Sequence, residues 1–147
     1  MKTSLQRQKQ KVILSRQDNE STMDLLLTYC KDINEWPEKW EIDAADVAVG
    51  KRIVDEFRPF LIHRIKQGLS RKTIKNDACF LWVLGGELIR HINEDEEERQ
   101  LSARKLILKY VDDEGGPYWH HADGEAEHRR YDAVCKRFFK FISEKSP

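Results

Sequence analysis

The sequence predicts an all-α protein: a compact bundle of five or six helices around a central hydrophobic helix at about residues 71–93. Three observations carry that expectation. Apolar residues recur at spacings of three and four along most of the chain. Helix start and stop signals bracket the periodic stretches, namely Gly68 before Ser70, then Ser102, then Gly115-Gly116-Pro117. No pair of alternating apolar runs flanks a tight turn, as a strand hairpin requires. The chain has 147 residues, of which 39% are apolar and 35% charged, and its mean hydropathy is −0.72. That size and mixture suit one domain with a real core and a heavily charged surface.

Residues 1–20 are polar and rich in Gln and Lys, and they read as a mobile tail ahead of a single helical domain at 21–147. Ser21 or Thr22 is expected to cap a first helix carrying Leu26, Tyr29, Cys30 and Ile33. Trp36-Pro37 should end it, with Trp40 folding back over the core. Asp43 is the expected cap of a longer helix whose stripe is Val47, Val54, Phe57, Leu61 and Ile65. Pro59 lies within that stripe, which predicts a kink or a split. After Gly68 and Ser70 comes the central helix, with Ile74, Ala78, Leu81, Trp82, Leu88 and Ile92 in register and Phe80, Val83 and Leu84 opposite. Cys79 to Leu84 alone also fits a buried strand, and the periodic flanks favour helix. Gly85-Gly86 is costly there, about 1 kcal/mol per glycine, so another backbone is expected to approach closely. The run Glu94 to Glu98 reads as a solvated connection. Ser102 caps a short helix, Tyr118 to His121 form a loop or a short extended piece, and a last helix covers about 125–143.

Net charge is zero, yet charge is segregated. Residues 51–75 carry +6 and 129–147 carry +4, whereas 21–50 and 76–100 each carry −5. Such blocks usually pair with one another within the fold. They can also form a basic face for an acidic partner or a nucleic-acid backbone. The densest cations flank the start of the central helix: Arg71, Lys72 and Lys75 on it, with Arg64 and Lys66 just before and Lys51 and Arg52 earlier. A helix N-terminus carrying cations favours phosphate, because dipole and charge act together.

Catalytic and metal signatures are weak. His120, His121, Asp123, Glu125, His128, Asp132 and Cys135 cluster in sequence, but Glu125-x-x-His128 has no second such pair and no Cys-x-x-Cys occurs. No Gly-x-Ser-x-Gly elbow or phosphate-cradling glycine loop is present. No enzyme activity, metal or cofactor is expected. The three cysteines, Cys30, Cys79 and Cys135, sit in apolar helical contexts and read as reduced, buried side chains of a cytoplasmic protein. No apolar run approaches the ~20 residues of a membrane span.

From Lys51 to Asn93 the chain resembles the core-binding, SAM-like N-terminal domain of tyrosine recombinases and phage integrases. The features that match are Phe57-x-x-x-Leu61, the Gly68-Leu69-Ser70 turn and the Thr73-Ile74 helix start. A wider resemblance, over roughly 45–143, is to small uncharacterised bacterial proteins that share Leu81-Trp82-x-Leu84-Gly85-Gly86-Glu87-Leu88-Ile89-Arg90 and Gly115-Gly116-Pro117. The recombinase resemblance implies DNA association without recombination, because the His-x-x-Arg pair of the catalytic half is missing and about fifty residues leave no room for that half. DNA is therefore the expected partner, bound through Arg71, Lys72 and Lys75 with help from Lys51, Arg52, Arg64 and Lys66. The alternative is a protein–protein adaptor or inhibitor that uses its charged faces or the Trp36/Trp40 and Tyr118/Trp119 segments.

Overall fold

Ser70 begins the longest helix by accepting from the Thr73 N–H at 3.2 Å. Gly68, at φ +76°, turns the chain just before it, in the left-handed region that glycine enters without steric cost. The computed structural model describes residues 21–144, so the tail expected at 1–20 lies outside the described residues. Among the described residues six helices follow in order: α1 (residues 21–29), α2 (Trp36–Lys39), α3 (Asp46–Lys66), α4 (Arg71–Glu94), α5 (Ala103–Tyr110) and α6 (Glu125–Glu144). Short 3₁₀ turns at Ile33–Glu35 and Glu96–Gln100 lead into α2 and α5. Among the described residues there is no sheet, only a bridge between Asp112 and Gly115 at a turn.

The bundle is all-α and α4 is its centre, as the periodicity predicted. α4 packs against α3, α5 and α6. α3 and α4 form an antiparallel hairpin across the turn at 67–70, and the inner faces of α3 and α6 meet through aromatic rings. Phe138 of α6 lies edge-on to Phe57 at 5.2 Å and to Phe60 at 5.5 Å between ring centres. Edge-to-face pairing of this kind adds about 0.5–1.5 kcal/mol per pair beyond the burial itself.

Several local expectations are corrected. Trp36-Pro37 starts α2 instead of ending α1, because proline suits the first turn of a helix, where its missing N–H has no acceptor to lose. α1 is already helical at Ser21, so neither Ser21 nor Thr22 acts as its cap within the described residues. α3 continues through Pro59 without a split. Pro59 and Asp55 both lie on the exposed side, so the carbonyl that loses its donor meets water. The start of α3 is gathered by Asp46, whose carboxylate accepts from the Ile42 and Asp43 N–H groups at 3.0 and 2.8 Å; Asp43 holds only the Ala45 N–H. The approach at Gly85 is made by the Trp40 indole, not by another backbone. A Cβ on Gly85 would stand 2.2 Å from that ring, which is held by Nε1 donating to the Trp82 carbonyl at 2.9 Å. The acidic run is not wholly solvated, since Glu98 is buried and bonded by Lys109 and Tyr110. Cys30 and Cys135 are buried, but Cys79 is exposed.

Candidate nucleic-acid interface

The seven cations expected to meet phosphate divide into three groups. Lys51 and Arg52 lie in the first turns of α3. Lys66 is at its last turn, about 22 Å further along the axis. The antiparallel hairpin therefore brings Arg64, Lys66, Arg71, Lys72 and Lys75 together at one end of the bundle and leaves Lys51 and Arg52 at the other.

Within that basic end, two cations are already engaged. Arg64 donates through Nε to Asp77 Oδ2 at 2.8 Å, and the Asp77 side chain is fully buried. Arg137 of α6 reaches the other oxygen at 3.3 Å. A buried carboxylate needs such partners, since an unpaired one is strongly unfavourable. Arg71 donates through Nη1 to the Thr28 carbonyl at 2.8 Å, and its guanidinium sits 4.4 Å from the centre of the Tyr29 ring. It ties α1 to the start of α4. Lys66, Lys72 and Lys75 remain exposed and make no ion pair among the described residues. Ser70 closes the first turn of α4, and no acidic residue occupies that turn.

The sequence missed two features of this region. The first is a shallow groove of about 330 Å³ between α3 and α6, where Arg64, Arg137 and Lys140 converge with His63 and where Glu144 is the balancing carboxylate. Residues from opposite halves of the chain form it, so no local pattern announces it. The second is Trp82, whose spacing predicts a place in the buried stripe of α4 and which is 41% exposed. Asp77 and Glu87, polar residues of the same helix, are buried instead. The exposed stripe of α4 runs Lys72, Lys75, Cys79 and Trp82 and continues into half-buried Gly86 and Arg90, again at helical spacing.

The histidine-rich loop does not assemble a metal centre. His120 gives both its N–H and Nδ1 to Glu87, at 3.3 and 3.0 Å. His121 meets Arg90 at 3.1 Å. His128 lies 3.0 Å from Asp132 through Nδ1 while its Nε2 accepts from the Trp119 N–H at 3.3 Å, so the hydrogen is carried on Nδ1. These contacts fasten residues 118–121 to α4 and α6. Among the described residues no three His, Cys, Asp or Glu side chains gather as metal ligands would. Nor is any thiol activated: burial pushes Cys30 and Cys135 up to about 12, and partial burial with the Glu127 carboxylate raises Cys79. Trp36 and Trp40 are buried, Trp119 is half-buried, and Tyr118 is exposed. No helix among the described residues is long and apolar enough to cross a membrane. Comparison of the chain with family models, with curated proteins and with solved structures gives no match.

Proposed function

We propose that this is a nucleic-acid-binding protein that uses the basic end of the α3–α4 hairpin to hold phosphates. The observation that carries the reading is the state of three lysines. Lys66, Lys72 and Lys75 crowd one end of a rigid hairpin with no ion pair among the described residues. The arginines around them are consumed by structure, Arg64 on Asp77 and Arg71 on the Thr28 carbonyl. Free ammonium groups on fixed helix turns exchange counterions for phosphate at little conformational cost. DNA association of the kind the recombinase resemblance implies would engage these same turns. The adaptor alternative loses Trp36 and Trp40, which are core residues, and keeps only Tyr118 as an exposed aromatic of its proposed segments.

Acidic blocks elsewhere keep the affinity modest and the salt dependence steep. Lys72→Glu with Lys75→Glu should abolish low-salt binding of DNA in a polarisation titration, with the circular dichroism spectrum unchanged. Lys51→Glu with Arg52→Glu, at the far end of α3, should reduce binding far less. Removing two phosphate contacts lowers the logarithmic salt slope by about two. Binding that survives the Lys72/Lys75 reversal, or a wild type that does not bind at tens of micromolar, would return the case to a protein partner.

A further inference from the structure

We propose that the cleft between the end of α1 and the exposed stripe of α4 seats an unpaired base of a single-stranded nucleic acid. The base stacks on Trp82, and the flanking phosphates lie on Lys31, Lys72 and Lys75. The inference rests on the nucleic-acid reading above and narrows its ligand from nucleic acid in general to a single strand.

Three observations converge on this cleft. The first is the indole itself: Trp82 is the large apolar side chain that α4 leaves in water, at 41% exposure, while twelve other residues of that helix are buried. Among the described residues the ring makes no hydrogen bond, and its backbone carbonyl accepts from Trp40. The second is the space in front of it. The cleft holds about 460 Å³, and Tyr29, Trp36 and Ala78 form walls together with Trp82. That volume lies within the roughly 300–1,000 Å³ of small-molecule clefts. The third is the rim. Lys31, just past α1, and Lys75, on α4, both line the cleft, and Lys72 is one turn nearer the start of α4.

Flat aromatic walls with cations at the rim are what single-strand binders use, because every base offers a π-face and every link a phosphate. A duplex keeps its base faces stacked inside and has nothing to present to such a cleft. The carboxylates nearby set the limits. Asp32 lines the cleft and is partly neutralised by Lys39 at 3.5 Å, which leaves it able to accept from an exocyclic amine. Glu35 also draws on Lys39, and Glu127 acts on the Cys79 sulfur. The positive end of the track is therefore at Lys31, Lys72 and Lys75, away from Lys39.

Polarisation titrations at low salt with a short single strand and with the duplex of the same sequence give the test. The full chain should bind the single strand more tightly. Trp82→Ala should weaken that binding about tenfold, within the range expected for loss of one base stack, and leave duplex binding unchanged. Trp82→Phe should restore most of it, since a ring remains. Cys79, exposed between Lys75 and Trp82 while Cys30 and Cys135 are buried, gives an independent readout. Its alkylation should slow when single strand is added and not when duplex is added. Equal or tighter duplex binding, or an unaltered Trp82→Ala, would overturn the base cleft while leaving the lysine reading intact. Because burial and Glu127 already slow this thiol, the comparison is the ratio of rates with and without nucleic acid, and equal slowing by single strand and duplex would overturn the base cleft. No binding of either form would remove both proposals.

Discussion

Gly85 and Gly86 are neighbours in α4, yet substitution by alanine should have opposite signs at the two positions. A methyl group on Gly85 meets the Trp40 ring at 2.2 to 2.7 Å, and that ring cannot retreat without breaking its bond to the Trp82 carbonyl. Overpacking of this kind costs about 1–3 kcal/mol, offset by up to about 1 kcal/mol of regained helix propensity. Gly86 faces Trp40 at 3.6 Å, an ordinary contact. Gly85→Ala should therefore lower the urea midpoint, and Gly86→Ala should leave it unchanged or raise it by up to about 1 kcal/mol equivalent. Similar midpoints for the two variants would show that the indole yields. The same scale explains what the sequence could not say about charge. Arg64, Arg71 and Lys72 look alike as letters, but a guanidinium can fork onto a buried carboxylate or carbonyl, and a lysine is more easily left in solvent. Only the fold reveals which cations are spent.

Among the elements, the span of α4 is legible almost to the residue, because its signals are local: a glycine turn just before it, a serine cap and a periodic apolar stripe. Ser102 and α5 were legible for the same reason. What was misread depended on tertiary surroundings. Proline punctuates either end of a helix, so Trp36-Pro37 alone could not say that it opens α2. Pro59 is tolerated because its side of α3 faces water. Trp82 shares the stripe's spacing with Leu81 and Gly85, and periodicity assigns no depth to a residue at its edge. Arg71 ties α1 to this helix, and that link can be tested at the level of the element. Arg71→Ala loses a hydrogen bond and a cation–π contact, a sum of about 1 kcal/mol. Amide exchange should accelerate over residues 24–30 and stay unchanged over the α3–α4 hairpin. Faster exchange throughout would mean that α1 is not a separable unit.

For the whole molecule, acid should act through two buried carboxylates, both depressed below their ordinary values. Burial alone would raise Asp46; the Asp43 N–H, Asn93, the Ile42 N–H and Arg99 together outweigh it. Burial likewise opposes Glu98, and Lys109 and Tyr110 overcome it. A group whose folded pKa is lowered contributes stability above its unfolded value and loses that contribution as pH falls through the folded one. The window therefore opens at about 4.5 for Glu98 and 3.8 for Asp46 and extends downward. Denaturation midpoints should be flat above it and fall below it. Asp46→Asn should be less stable at neutral pH by about 3 kcal/mol or more, because Arg99 is left facing an uncharged amide, and its acid slope should be shallower. An unchanged slope would place the acid sensitivity elsewhere. Asp46 and Asp77 also have a geometric consequence. One lies on each helix of the hairpin, at opposite ends, and each is answered across it, Asp46 by Asn93 and Asp77 by Arg64. Sliding α4 past α3 by a single turn, about 5.4 Å, would separate both pairs at once and leave two buried carboxylates each short of a partner across the hairpin. Oily surfaces alone would tolerate several such alignments; the two aspartates act as a vernier that reads true at only one.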